Sequence, residues 1–395
     1  MARVVVGLSG GVDSSVAAWL LKEQGHDVIG LFMRNWNDAS PTLEDECPWI
    51  DDSRDAMLVA EQLGIPFQIL DLSAAYKTRI VDYMFAEYAA GRTPNPDVLC
   101  NREIKFDLFL QNALKLGADF VATGHYVRKD SEMVNGQEYY RLLQGVDTGK
   151  DQSYFLCQLN QEQLSKSLFP LGHLQKSEVR EVAVKAGLHV HNKKDSQGLC
   201  FIGKVSLPDF LQQQLKPKEG DVILIDREEP AVVEHLRRMH EETNPEIWAE
   251  KPRFSRGSGK VIGKHRGAHY YTIGQRRGLH IGGTGLPLFV LQTDVDENII
   301  YVGLGEDHPA LLSKALEADE NGLHWVDPSA KSMVEKGEKL KARIRYRQAL
   351  FDCEIKMTKS RQFCIFHTAQ RSVTPGQFLA VYLNEELICS ATIKQ

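Results

Sequence analysis

Residues 7–15 read GLSGGVDSS, directly behind the apolar, β-branched run ARVVV and directly ahead of apolar residues at Val12, Val16, Leu20 and Leu21. The first pattern predicts a buried strand, and the second has helical spacing that stops at Gly25. A strand, a glycine-rich turn and a helix therefore succeed one another at the start of the chain. Gly10 and Gly11 let the backbone turn sharply and place no Cβ between its N–H groups and a ligand. Ser9, Asp13 and Ser14 add polar groups at the helix start, where the dipole favours an anion. The stretch predicts a phosphate site. It is not of the Walker type, because no GK[ST] follows and no lysine sits in the loop.

SGGVDSS resembles the pyrophosphate loop of the ATP pyrophosphatases. Those enzymes cleave ATP between the α and β phosphates, hand AMP to a carbonyl oxygen and release pyrophosphate. The resemblance makes Gly7, Leu8, Ser9, Gly10, Gly11, Val12, Asp13 and Ser14 the expected ATP-binding set. The bland reading is a glycine turn that merely joins a strand to a helix.

Further strands are expected at 26–34, 65–73 and 118–127, alternating with helices near 51–64 (one face carrying Met57, Ala60 and Leu63), 74–91 and 104–117. Such alternation predicts an α/β domain built on a parallel sheet. Ligands of these sheets sit at the carboxyl ends of the strands, where the glycine loop, Met33 and the TGHY turn with Gly124 and His125 would converge. Beyond about residue 215 the pattern becomes β-like, and from 338 onward short strands alternate with turns, which predicts a small antiparallel β domain.

At 395 residues the chain has room for two or three domains. No apolar run approaches the ~20 residues of a membrane span, and no signal peptide precedes the first strand, so a cytoplasmic protein is expected. A net charge of −6 gives no global nucleic-acid signal, so RNA contact must come from local patches. Seven cysteines without CxxC pairs argue against a disulfide scaffold or a zinc ribbon. Cys353, Cys364, Cys389 and Cys157 read as small core residues; nothing near Cys47 gives it a role.

Cys100 and Cys200 stand apart. TPNPDVLCNREIKF places Cys100 behind Pro94 and Pro96 and just before a helix. With Asn101 as N-cap, the thiol would lie near the positive end of the dipole, which favours thiolate. Asp97, three residues upstream, is placed for acid–base work. Cys200 follows the polar loop KKDSQG. The two lie far apart in sequence with no local ligand cluster, so no metal site is expected.

Together, GRTPNPDVLCNREIKF, ATGHY, GKDQSYFL, DSQGLCFIG, HYYTIGQRRGL, RYRQ and TPGQ resemble, in order, the bacterial tRNA-specific 2-thiouridylases. The resemblance implies an N-terminal pyrophosphate-loop domain of the adenine nucleotide alpha hydrolase-like type, a small central domain and a C-terminal antiparallel β-barrel. We expect these at 1–206, 207–290 and 291–395. It implies ATP-dependent installation of sulfur at C2 of the wobble uridine in tRNAs for lysine, glutamate and glutamine, with Mg²⁺ accompanying ATP. Met33 and Gly124 match further ATP-contact positions. Cys200 would receive sulfane sulfur from a persulfide-carrying donor protein. Cys100 would be the nucleophile that releases hydrosulfide or closes a Cys100–Cys200 disulfide, with Asp97 as general acid or base. An iron–sulfur cluster held near these residues is a competing proposal for parts of the family. Asn95, Pro96, Asp97, His125, Lys150, Asp151, Gln152, Arg345, Tyr346 and Gln377 match positions at the tRNA and its target base.

Local charge agrees with an RNA partner. Residues 251–285 contain Lys251, Arg253, Arg256, Lys260, Lys264, Arg266, Arg276 and Arg277 and no Asp or Glu. Lys341, Arg343, Arg345 and Arg347 recur with period two, so a strand would put all four on one face. An insertion near 226–259, acidic at first and basic later, interrupts the pattern; a helix is expected there on Val232, Val233, Leu236 and Met239. Two rival readings remain. An amidating synthetase would need an ammonia source, of which there is no sign, and a passive tRNA binder would not need the loop.

Overall fold

Three consecutive valines open the fold. Strand β1 (Arg3–Gly7) buries Val4 and Val6 on one face and Val5 on the other, as in a sheet covered on both sides. The computed structural model describes residues 1–36, 48–194, 207–358 and 360–394. With β2 (Asp27–Arg34), β3 (Phe67–Asp71), β4 (Phe120–Ala122), the hairpin β5 (Val127–Val134) and β6 (Gln137–Gln144), and β7 (Ser167–Leu168), the N-terminal part is complete in strands. Five of them form a parallel sheet in the order β3-β2-β1-β4-β7.

The strand order reverses between β1 and β4, so the loops after these two strands diverge and leave a crevice at their carboxyl ends. Helix α1 (Val12–Glu23) begins at that crevice, and α2 (Pro48–Leu63) packs beside it. The buried face of α2 is Ala56, Val59, Ala60 and Leu63, whereas Met57 is exposed. On the opposite face of the sheet runs a helix that starts at Pro96, earlier than the expected 104. It continues through a π-helical stretch, Cys100–Phe109, to Lys115.

A second sheet holds Leu288–Asp294, Ile299–Leu304, Gly220–Leu224 and Lys260–His265, in that order. The division expected at 290/291 thus falls inside a strand, and the central sheet runs on through Leu304. The insertion forms helices Pro230–Glu241 and Pro245–Ala249. Its buried positions are Val232, His235 and Met239; Val233 is exposed. His235 replaces the expected apolar contact because its Nε2 hydrogen-bonds the Leu312 carbonyl at 2.9 Å, and Arg361 pairs with Glu246 at 2.6 Å. The insertion therefore braces the C-terminal domain.

That domain is an antiparallel barrel-like sheet whose path continues from Glu386–Thr392 into β6 and β5. One sheet thus spans the first and last parts of the chain. The segment 151–158 welds them further. Tyr154 donates its hydroxyl to the Phe378 carbonyl at 3.0 Å, and Gln158 donates to Ser390 at 2.7 Å. Asp151 accepts from Arg343 Nη2 at 2.9 Å, with 1% and 6% of the two side chains exposed.

Asp151 also accepts from Ser153 N–H and Oγ, Gly145 N–H and Gln144, so its carboxylate is fully occupied. The Asp151 side chain, expected at the tRNA, is a buried tie between domains. Arg343→Ala leaves that charge buried and unpaired, which costs about 3–5 kcal/mol. The expected result is a large fall in melting temperature for Arg343→Ala. The affinity of any protein that remains folded for tRNA should be unchanged.

Candidate active site

The glycine turn is built for close approach. Gly10 has φ +71°, and a Cβ on it would lie 2.2 Å from the Asp52 carbonyl oxygen of α2. Lys193 Nζ ties the same two elements by donating to Gly10 O at 3.0 Å and Asp52 Oδ1 at 2.8 Å. Gly11 is the N-cap of α1 and has no side chain to cap it, so the first N–H groups of the helix remain open to an anion. Ser14 Oγ accepts from Ser9 N–H at 3.1 Å and shapes the turn. Gly124 answers from the other side of the crevice: a Cβ there would meet Asp13 C and Ser14 N at 2.8 Å. Only glycine lets the β4 turn pack against the start of α1.

A cavity of about 400 Å³ opens at this point. Gly7, Ser9, Gly11, Val12, Asp13 and Ser14 line one end of it, with Met33 and Gly124 beside them. Leu8 is instead buried in the core, and Gly10 supports the turn from behind. Asp13 accepts from Lys176 Nζ at 2.7 and 2.9 Å and from the Tyr126 hydroxyl at 2.7 Å. Among the described residues there is no group of three His, Cys, Asp or Glu side chains that could hold a metal ion. The loop's one carboxylate, Asp13, is thus engaged by Lys176 and Tyr126.

The opposite wall comes from the helix that starts at Pro96. Asp97, Asn101 and Lys105, four residues apart, all line the cavity. Cys100 and Ile104 turn to the core instead. The cap of this helix is Asn95, which accepts from Val98 N–H at 3.3 Å, so Asn101 is not the N-cap. Cys100 therefore lies inside the helix, 1% exposed, and away from the dipole's positive end. Burial pushes its thiol above the ordinary range, with Lys105 opposing and Asp97 adding to the shift. The expected resting thiolate is corrected: desolvation outweighs the nearby lysine. Cys200 lies outside the described residues, as does Cys47. Cys157, Cys353, Cys364 and Cys389 are buried in the core.

Of the residues expected at the RNA, His125, Lys150, Gln152 and Tyr346 reach the same cavity. His125 is enclosed against Phe106 and Phe169, and its Nδ1 lies 2.7 Å from Thr123 Oγ1. Burial drives its pKa well down, so the ring is neutral. Gln152 accepts from Tyr126 N–H at 3.0 Å. Tyr346 packs on Phe155 with centroids 4.2 Å apart, and Arg347 lies over the Tyr346 ring. Gln377 is spent on the Thr93 and Pro94 carbonyls, at 2.9 and 3.2 Å, beside Asn95 and the buried Pro96.

The single basic face expected for 341–347 does not exist. Its strand ends at Arg343, which is buried; Arg345 donates to the Arg371 and Ser372 carbonyls; Arg347 adopts φ +61° in a turn. Only Lys341 lies on an exposed strand position. In the central domain, Arg256 and Lys264 pair with Asp221, and the Lys251 amine is buried. Arg253, Lys260, Arg266, Arg276 and Arg277 stay exposed.

Asn101 is read from the sequence only as a helix cap, and Lys105, Tyr126 and Lys176 are not singled out there. Asn101 and Lys105 carried a signal, the four-residue spacing from Asp97, once the helix is known to begin at Pro96. Lys176 carried none.

Comparison with known proteins agrees with this layout. Residues 2–204 match a model described as "tRNA methyl transferase HUP domain", 249–304 a "tRNA methyl transferase PRC-barrel domain", and 316–393 an "Aminomethyltransferase beta-barrel domain". The chain is 57% identical over 394 residues to the tRNA-specific 2-thiouridylase MnmA of Christiangramia forsetii, covering 100% of both. It is also 57% identical to that of Flavobacterium johnsoniae, again covering 100% of both chains. Against that of Karelsulcia muelleri the identity is 46%, over 99% of this chain and 98% of the relative. With the glycine loop, the Asp97 helix and the barrel turn meeting in one cavity and relatives of this closeness along the whole length, the chain belongs to the tRNA-specific 2-thiouridylase family.

Proposed function

We propose that the protein uses ATP to replace the C2 oxygen of the wobble uridine by sulfur in tRNAs for lysine, glutamate and glutamine. The observation that carries the reading is the shared cavity. An uncapped helix N-terminus behind a glycine turn meets, across one space, the Asp97–Lys105 helix face and an aromatic pair from the C-terminal domain. A methyl transferase moves a group that its donor has already activated, so it would leave the phosphate loop without a task.

The uracil C2 oxygen is a poor leaving group. In the first step it attacks the α-phosphorus of ATP, and pyrophosphate departs. The N–H groups at the start of α1 and the Ser9–Ser14 turn stabilise the charge on the phosphates, and Mg²⁺ arrives on ATP itself. Asp97 is the general acid or base of the site. In the second step a sulfur nucleophile adds to C2 and AMP leaves. Cys200 holds that sulfur as a persulfide received from a donor protein. Cys100 either attacks the persulfide and frees hydrosulfide, or resolves the intermediate into a Cys100–Cys200 disulfide that a thiol reductant reopens. The neutral thiol kept by burial stays protonated at rest, and Lys105 is the cation placed to favour its ionisation.

The target base must leave the anticodon stack to enter the cavity, and the Phe155–Tyr346 pair offers it aromatic surface. Arg253, Lys260, Arg266, Arg276 and Arg277 hold the RNA backbone. Among the described residues no helix is long and apolar enough to cross a membrane, and we place the reaction in the cytoplasm with its tRNA. The test is pyrophosphate release from ATP with unmodified tRNA carrying uridine at the wobble position. Release that requires this uridine supports the proposal. Equal release without tRNA contradicts it.

A further inference from the structure

Asn101 lines the cavity but is only 2% exposed. Its Nδ2 donates to the Phe155 carbonyl at 3.0 Å. A backbone carbonyl can only accept, so this contact fixes the amide with its nitrogen toward Phe155 and its oxygen turned away. That oxygen, Oδ1, is buried and has no hydrogen-bond partner. An orphaned buried acceptor costs about 1–3 kcal/mol, which makes this amide a poor choice for a purely structural role.

The surroundings indicate what would satisfy it. The Phe155–Tyr346 pair, its rings tilted by 41°, puts aromatic surface on the cavity wall, and Ser9 and Gly11 line the other end of the same cavity. A uracil ring presents a single N–H donor on its pairing edge, at N3, between the two carbonyls. Cytosine has an acceptor at that position. Asp97 sits one helical turn before Asn101 on the same face.

We infer that Asn101 Oδ1, left unpaired in the cavity wall beside the Phe155–Tyr346 pair, accepts the N3–H of the target uracil and selects uridine over cytidine. N3 adjoins C2, so the same contact holds the C2 oxygen toward the end lined by Ser9 and Gly11. The inference rests on the proposed thiolation and assigns the residue that reads its base.

The experiment uses an anticodon stem–loop RNA with either uridine or 3-deazauridine at the wobble position. The deaza ring keeps both oxygens and replaces N3–H by C–H. Single-turnover pyrophosphate release is measured with the native protein and with Asn101→Ala. The native protein should be about 10-fold to 100-fold slower on 3-deazauridine. Asn101→Ala should be slower on uridine by a similar factor and should treat the two RNAs alike. Equal rates of the native protein on both RNAs would overturn the assignment, and that comparison needs no variant to fold. So would independent, multiplying losses from the side chain and the ring atom. Absence of release with uridine itself would instead overturn the thiolation reading, and the assignment with it.

Discussion

The Cys200→Ser protein still releases pyrophosphate from ATP when tRNA is present, yet it transfers no sulfur. A serine hydroxyl cannot carry a sulfane sulfur, whereas the glycine loop and the base pocket are untouched by the change. The two half-reactions therefore separate, and adenylated RNA accumulates. Cys100→Ser gives the same uncoupling, because no thiolate remains to open the persulfide or resolve the intermediate. The double variant should form no 2-thiouridine at all; thiolation persisting there rules out the two-cysteine scheme. The pH dependence carries a further signature. Burial raises the Cys100 pKa above its ordinary 9.0, so at neutral pH the thiolate is the minor form. Its fraction grows about tenfold per pH unit below the pKa. Sulfur transfer should climb with pH through and beyond neutrality, and pyrophosphate release should not share that rise.

Gly10→Ala abolishes the first half-reaction instead. The new Cβ would sit 2.2 Å from the Asp52 carbonyl, which is backbone and cannot step aside, and Lys193 clamps the same contact. The turn must swing away from α2 and carry the start of α1 with it. A displacement of about 1 Å at a reacting site costs on the order of 100-fold in rate, so pyrophosphate release falls by that factor or more. Affinity for tRNA should stay as it was, because the exposed basic residues proposed to hold it lie elsewhere. Gly25→Ala is the control. Its φ is +82° with open space around it, so it costs about 1–2 kcal/mol of stability while activity at the unaltered loop is retained. Loss of activity in both variants would mean that the close approach to Asp52 is not what matters.

The phosphate loop was legible because its signals are local. Three valines, two glycines and a helical period lie within a few residues of one another, and the sheet order then places Gly124 against them. The Asp97 helix was half legible. Asn95 followed by Pro96 is a helix-start signal, but Asn101 behind Cys100 offers a second one. The helix was therefore expected to begin after Cys100, which put the thiol at a dipole it does not touch. The long-range ties were not legible. Asp151 and Arg343 are 192 residues apart and form one buried pair. Nothing local distinguishes such an arginine from one that meets RNA. The alternation of 341–347 failed for a related reason: its strand ends at Arg343, and the left-handed turn at Arg347 breaks the period. The central sheet was cut short because Leu288–Asp294 and Ile299–Leu304 look like any hairpin. The parallel partner of Ile299–Leu304, Gly220–Leu224, lies far upstream.

The central claim is that this cavity converts the wobble uridine to 2-thiouridine. It is tested most directly by nucleoside mass analysis of tRNAs for lysine, glutamate and glutamine from cells lacking the protein. Loss of 2-thiouridine, restored by the native chain and not by Cys200→Ser, is the predicted result. Unchanged 2-thiouridine in those tRNAs would contradict it.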